Sequence, residues 1–119
     1  MGQNYQGGKI VLLTPYNSAF VYDQFNMHGI VAAIDDLPGT YQWGCFGTVV
    51  SGQNTNPYGG GPSSVLIAAA CGPTSAAAAC LNLVYNGYDD WVLPNAQDMS
   101  YLNGYKTILG LTSGNYLTS

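Results

Sequence analysis

The amino-acid sequence predicts a single α+β domain in which a twisted antiparallel sheet is braced by two or three short helices. Short apolar runs separated by turn residues occupy the first half of the chain, as at residues 9–13 and 29–34, and such runs are typical of buried strands. The second half contains two alanine-rich runs, 64–71 and 76–84, which favour helices. A chain of 119 residues is long enough for one domain with a core and too short for two of ordinary size.

The remaining strands are predicted from similar patterns. A run at 19–22 precedes the strand at 29–34 in a hairpin-like arrangement. Residues 41–46 follow a Pro-Gly turn and place large side chains at alternate positions, which indicates an extended segment. Residues 107–119 alternate apolar and small polar residues around two glycines, as strands joined by turns do.

Capping residues mark the predicted helices. Thr74 or Ser75 is placed to cap the second alanine-rich helix, and the Asn-Gly pair at 86–87 is placed to end it in a left-handed conformation. Asn95 is expected to cap a third helix. Asp98, three residues on, lies in the first turn of that helix, where a carboxylate favours both capping and the helix dipole.

The charge balance of the chain argues against two classes of partner. The sequence contains no arginine and no glutamate; Lys9 and Lys106 are its cations, and the formal net charge is -4. Phosphate backbones and anionic lipid need clustered basic residues, so no nucleic acid partner is expected, and no apolar run approaches membrane-spanning length. Ten tyrosines and many amides suit sugars or protein surfaces, although the same composition fits an extracellular β-rich protein without a special ligand.

Three cysteines allow three alternative disulfides, each of which leaves one thiol over. Cys71 and Cys80 are the preferred pair, because they would close a short loop between the alanine-rich segments and stabilise by roughly 2–3 kcal/mol in an oxidising compartment. The three cysteines are not closely spaced and His28 is the only histidine, so no metal or other cofactor is expected. His28 and Cys45 lack the surroundings of a cysteine hydrolase, and the chain is not expected to be an enzyme.

The most specific motif is Asn86-Gly87-Tyr88-Asp89-Asp90-Trp91-Val92-Leu93-Pro94. It resembles the Gly-Tyr-x-Asp-Trp-Arg/Phe-Leu-Pro motif of the Lcl C-terminal-like family, found in bacterial surface proteins and phage fibres, with Val92 in place of a longer residue. The segment 29–36, the Trp-Gly-Cys sequence at 43–45 and residues 8–11 are similar to further segments of that family. The resemblance covers nearly all of the chain.

The resemblance implies a C-type-lectin-like fold over residues 9–119, after a lead-in at 1–8, in which helices brace the sheet and long loops present a binding surface. It does not imply catalysis. Residues 115–119 look like the family's Tyr-Trp-Ser-Ser element, after which related domains run on through further strands. The sequence therefore predicts either a domain that is incomplete at its C-terminus or a sheet edge completed by a neighbouring copy, and with it a homo-oligomer.

Two interpretations apply to the residues of the motif. Asp89 and Asp90 carry the hard oxygen ligands that calcium prefers, and Asn86 lies close by in sequence, as does Asn95. The favoured interpretation is structural: Asp90 caps amides of its own turn and Trp91 fills the core. The residues expected in this structural role are Trp43, Tyr88, Asp90, Trp91, Leu93 and Pro94.

The candidate contact surface is the loop at 51–61, since a tyrosine on an amide-rich loop can stack on a sugar or pack against a partner; a merely long connection is the alternative. The residues expected to bind ligand are Gln53, Asn54, Asn56 and Tyr58. These features predict a non-enzymatic module of a cell exterior or virion surface that recognises a cell-surface glycan or a protein receptor. The alternative is a structural subunit of a fibre, filament or virion decoration that assembles by homo-oligomerisation.

Overall fold

The computed structural model describes residues 2–14, 28–53 and 60–110. These form an α+β unit, so the predicted class is confirmed. The elements are β1 (Asn4–Tyr5), β2 (Gly8–Thr14), β3 (His28–Ala33), α1 (Gly60–Cys71), α2 (Ala76–Leu81), α3 (Ala96–Gly104) and α4 (Lys106–Leu109). None of the helices in the described ranges has the length and apolar character needed to cross a membrane. The strand predicted at 19–22 lies outside the described residues, as do residues 111–119 of the strands predicted at 107–119.

The three strands form an antiparallel sheet in the order β1-β2-β3. Gln6 and Gly7 join β1 to β2, and both have positive φ angles, 46° and 81°, as a two-residue type I′ hairpin turn requires. β2 bulges at Val11, where its register against β3 shifts, and Val11 is fully buried. Residues 1–8, expected to be a lead-in, thus contain β1 and the first residue of β2.

The helix caps follow local sequence at two predicted positions. The Ser75 hydroxyl accepts a hydrogen bond from the backbone N–H three residues on (3.3 Å) and so caps α2. Asn95 caps α3 in a reciprocal capping box with Asp98. α2 ends at Leu81, earlier than the predicted stop at 86–87, and α1 begins at Gly60, ahead of its predicted start.

Two segments differ from the sequence-based prediction. Residues 41–46 contain turns and an isolated bridge from Gln42 to Ser75. This segment is bonded to the start of α2, through the Gln42 carbonyl at 2.8 Å, and not to a neighbouring strand. Residues 106–109 form the helix α4, which ends at Gly110 with a φ of 70°. A short apolar alternation does not distinguish a strand from a single helical turn, which explains the second error.

The helical half of the molecule has a small core around Ile67. Ile67 is fully buried in α1 and clusters with Ala76 and Ala77 of α2 and with Leu93. Small side chains on α2 allow the two helices to pack closely. The alanine-rich sequence that predicts the helices therefore also explains how they pack against each other.

The disulfide joins Cys45 to Cys71, whose Cα atoms are 5.0 Å apart, so the predicted Cys71–Cys80 pair is wrong. The hydrogen bond from the first residue of α2 to the Gln42 carbonyl (2.8 Å) brings the loop that holds Cys45 alongside the end of α1. This contact between distant parts of the chain decides the pairing. Cys80 remains a thiol, and partial burial raises its pKa.

Candidate binding cleft

A cleft of about 840 Å³ lies between the sheet and the helices. One wall is β3, the other is the segment 90–94 that leads into α3, and apolar residues of α2, α3 and α4 line the bottom. Its volume is within the range of ligand pockets and far above the voids left in a packed core. We therefore treat the cleft as the candidate functional site.

The wall formed by β3 includes the edge of the strand. All five residues from Gly29 to Ala33 line the cleft. No residue of the neighbouring strand β2 lines the cleft, whereas a cavity against one face of the sheet would contact both strands. The unbroken run indicates that the cleft follows the backbone edge. β3 pairs with β2 on one side, and within the described ranges no strand pairs with its other side.

The opposite wall is attached to α1 by Ser64. The buried Ser64 hydroxyl donates to the Leu93 carbonyl (3.2 Å) and accepts from the Leu93 N–H (3.0 Å). One side chain thus satisfies both backbone groups of Leu93, which are buried away from water. The Leu93 side chain also lies in the core. Segment 90–94 is therefore anchored at Leu93, by its backbone groups and by its side chain.

Asp98 joins the start of α3 to the start of α1. Its Oδ2 accepts hydrogen bonds from the backbone N–H groups of Gly60 (3.2 Å) and Asn95 (3.3 Å). Its own N–H donates to Asn95 Oδ1 (2.8 Å), and Asp98 is only 4% exposed. Glycine is required at position 60, because a Cβ there would lie 2.7 Å from the Leu93 carbonyl oxygen.

An Asn-Gly hairpin turn precedes this wall. Asn86 and Gly87 have φ angles of 51° and 83°, and the backbones of Tyr85 and Tyr88 exchange hydrogen bonds of 2.9 and 3.1 Å. These features define a type I′ turn, so the left-handed conformation expected for the pair occurs in a hairpin turn and not at a helix end. Trp91 packs edge-on against Tyr85, with ring centroids 5.8 Å apart, and its Nε1–H donates to the Tyr88 carbonyl (3.0 Å).

The same turn contacts the β1–β2 hairpin. Asn86 Nδ2 donates to the Gly7 carbonyl (2.8 Å). The Tyr88 ring lies so close to Gly7 that a Cβ there would be 2.9 Å from the ring. The motif at 86–94 therefore links the sheet to the helical half and positions the two walls of the cleft relative to each other.

The mouth of the cleft carries carboxylates and aromatic rings. Asp35, Asp36 and Asp90 line the cleft together with Tyr41 and Trp91. The described residues that line it include no lysine, arginine or histidine. The local field is therefore negative and favours a ligand that carries positive charge or hydrogen-bond donors.

The hydrogen bond between Tyr85 and Asp35 predicts a contact that depends on pH. The Tyr85 hydroxyl donates to Asp35 Oδ2 (2.7 Å), and this bond raises the pKa of Tyr85 above its ordinary value of 10.0, because ionisation would break the bond and set two negative charges together. The folded protein holds this proton more tightly than the unfolded chain does. The contribution to stability is therefore present below pH 10.0 and lost as the pH rises through the raised pKa.

We expect Tyr85→Phe to remove one step above pH 10.0 from the tyrosinate absorbance titration of the folded protein. Tyr41→Phe is the matched control, since the Tyr41 hydroxyl donates to the Pro38 carbonyl (3.0 Å) and not to a carboxylate. The Tyr85 step should persist in that control. If the step that Tyr85→Phe removes is centred below the ordinary tyrosine pKa, the hydrogen bond does not raise the pKa of Tyr85 as described.

The ligand-binding residues expected on the loop at 51–61 are described only in part. Gln53 is half-buried, and its Nε2 has no hydrogen-bond partner among the described residues. Asn54, Asn56 and Tyr58 lie outside the described residues. Trp43, expected to be structural, is 41% exposed beside the loop that carries Cys45.

The possible calcium ligands of the motif have other contacts or face solvent. Asn86 Nδ2 is bonded to the Gly7 carbonyl, and Asn95 Oδ1 accepts from Asp98. Asp89 and Asp90 are exposed. Across the described part of the chain, no group of three or more histidine, cysteine or acidic side chains is placed to hold a metal ion.

A wall of the cleft is formed by residues that the sequence predicts as scaffold, namely Asp90, Trp91, Leu93 and Pro94. The opposite wall is β3, which lies about sixty residues earlier in the chain. No local pattern in either segment reports on the other. The nearest signal was the motif itself, since its aromatic residues are of a type enriched in recognition surfaces.

Comparison of the chain with protein-family models, with curated proteins and with solved structures finds no match. The similarity of the motif at 86–94 to the Lcl C-terminal-like family therefore stays a prediction from sequence. The structure establishes a compact α+β unit with a three-stranded antiparallel sheet and short helices.

Proposed function

We propose that this chain is a non-enzymatic recognition module of a cell exterior or virion surface, with a C-type-lectin-like fold, and that it binds a cell-surface glycan or a protein receptor in the cleft. The observation that carries the proposal is the cleft itself, an opening of about 840 Å³ between β3 and the fixed segment 90–94. Hydrogen bonds and core contacts hold the second wall, so the site is largely formed before a ligand arrives.

The chemistry of the lining favours binding over catalysis. Tyr41 and Trp91 offer flat surfaces for stacking, and Asp35, Asp36 and Asp90 offer hydrogen-bond acceptors to hydroxyl or ammonium groups. Cys80 also lines the cleft, but burial raises the pKa of its thiol and so disfavours the nucleophilic thiolate at neutral pH.

The Cys45–Cys71 disulfide supports the proposed location outside the cytoplasm. Disulfides persist in oxidising compartments and on the surfaces of cells and virions, whereas cytosolic thiols are kept reduced. The bond also attaches the loop that carries Trp43 to α1, which stabilises the part of the molecule that lacks regular strands.

The proposal is tested with the labelled chain on immobilised glycans and on a displayed library of extended peptides. We expect saturable binding to members of at least one class, weakened about tenfold or more by Asp90→Asn, because a hydrogen bond to a charged group is lost. Asp89→Asn is the matched control, since Asp89 is the exposed neighbour that does not line the cleft. Lack of binding in both formats at high protein concentration, or an equal effect of the two variants, contradicts the proposal.

One observation favours assembly of a fibre or decoration as a second candidate function. Phe46 is fully exposed and Val49 is 91% exposed, close to the disulfide loop, and such apolar surface is typical of contacts between proteins. On this alternative, light scattering after size exclusion shows an oligomer that Phe46→Ser combined with Val49→Ser dissociates. Val84→Ser, at a residue 72% exposed elsewhere, serves as the control. A monomer at all concentrations rules the alternative out.

A further inference from the structure

We propose that the partner in the cleft is an extended, basic segment of another protein, which adds to the sheet as a fourth strand along the edge of β3. This inference rests on the proposed recognition function and names the ligand class of the same site. It depends on three features that occur together: an edge of β3 that pairs with no strand of the described residues, a cleft that follows that edge, and a negatively charged lining.

The edge of β3 supplies the backbone groups with which an added strand would pair. An edge strand presents a row of backbone N–H and C=O groups that can pair with an added chain. Among the described residues β3 pairs with β2 alone, and the cleft runs along all of Gly29 to Ala33. Six residues of strand offer about 20 Å of edge, enough for a segment of similar length to form several ladder bonds.

The space beside that edge is large enough for an added strand. A strand can be added only where its side chains have room on both sides of the new ladder. The cleft provides this room between β3 and the backbone of segment 90–94. On one side an added strand would meet Met99 and Leu102 of α3, which also line the cleft and suit apolar side chains at alternate positions.

The charge of the cleft lining favours a basic segment. Asp35, Asp36 and Asp90 line the cleft, and the described lining contains no basic side chain. Lys9 and Lys106, the two cations of the chain, are outside the lining. Complementary charge therefore requires lysine or arginine from the incoming segment. A second copy of this chain is a poor source, because it carries the same two cations and a net charge of -4.

The test uses a short blocked peptide in which valine alternates with lysine, added to the intact, oxidised chain and followed by amide hydrogen exchange. We expect about tenfold or greater slowing at every second amide of β3, because alternate N–H groups point toward the added strand. The same peptide with N-methyl groups on alternate amides should lose this protection. The peptide with glutamate in place of lysine should bind at least about tenfold more weakly.

Several outcomes overturn the inference and are distinguishable from failure of recognition as such. Binding of the valine–lysine peptide without protection of β3 amides, or equal binding of the N-methylated or glutamate peptide, contradicts strand addition. If an immobilised glycan binds in a manner sensitive to Asp90→Asn while the peptide does not bind, recognition stands and strand addition fails. If neither the glycans nor any peptide of the displayed library binds, both proposals fail.

Discussion

Replacing both Cys45 and Cys71 with serine is expected to lower the free energy of unfolding by about 3–4 kcal/mol, the entropy contributed by a cross-link over a separation of 26 residues. The bond fixes a segment without regular strands to the end of α1. In its absence that segment keeps the hydrogen bond from Ala76 to the Gln42 carbonyl (2.8 Å). Urea unfolding followed by tryptophan fluorescence measures the change.

Cys80→Ser is the matched control for this experiment. Cys80 is a partly buried thiol in α2, outside the disulfide, and its replacement should cost about 1 kcal/mol. Reduction of the wild-type protein should reproduce the loss seen in the double variant and leave the double variant itself unchanged. A stability loss in Cys80→Ser as large as that of the double variant would contradict the assigned pairing.

Asp98→Ala is expected to destabilise the protein by about 3 kcal/mol, because two buried backbone donors lose a charged acceptor. The carboxylate accepts from the N–H of Gly60 and from the N–H of Asn95, at 3.2 and 3.3 Å. Its removal breaks the capping box of α3 and the hydrogen bond between the starts of α1 and α3 at the same time. The loss of stability should therefore be accompanied by faster hydrogen exchange at both helix starts.

Asp98→Asn tests whether geometry or charge matters more at this site. An amide oxygen can still accept hydrogen bonds, so this variant should lose roughly half as much stability as Asp98→Ala. Asp89→Ala, an exposed carboxylate in the same stretch of chain, should change stability by less than about 0.5 kcal/mol. Similar losses in Asp98→Ala and Asp89→Ala would show that the buried network does not act as described.

Features that depend on neighbours in the chain were predictable from the sequence. Asn95 and Asp98 are three residues apart, the spacing of a capping box, and the structure contains that box. Ser75 caps α2, and the Asn-Gly pair adopts positive φ angles. The pair forms a hairpin turn and not the predicted helix end, because α2 already ends at Leu81.

Features that depend on distant contacts were not predictable in the same way. Cys45 reaches Cys71 because Gln42 bonds to the start of α2, and the spacing of the cysteines alone favoured a shorter loop. The candidate site shows the same limit. Asp90 and Trp91 were recognised as a motif, yet the cleft exists only because β3 lies opposite them.

The sequence by itself determined the α+β class, the caps of α2 and α3, and the low, acidic charge of the chain. Each of these results from backbone propensity, from hydrogen bonds over a few residues, or from composition. Only the tertiary structure decided the disulfide pairing, the joining of Gly60 to Asp98 across 38 residues, and the cleft beside β3. These result from packing between segments far apart in the chain, where many pairings satisfy the same local pattern and the fold as a whole selects one.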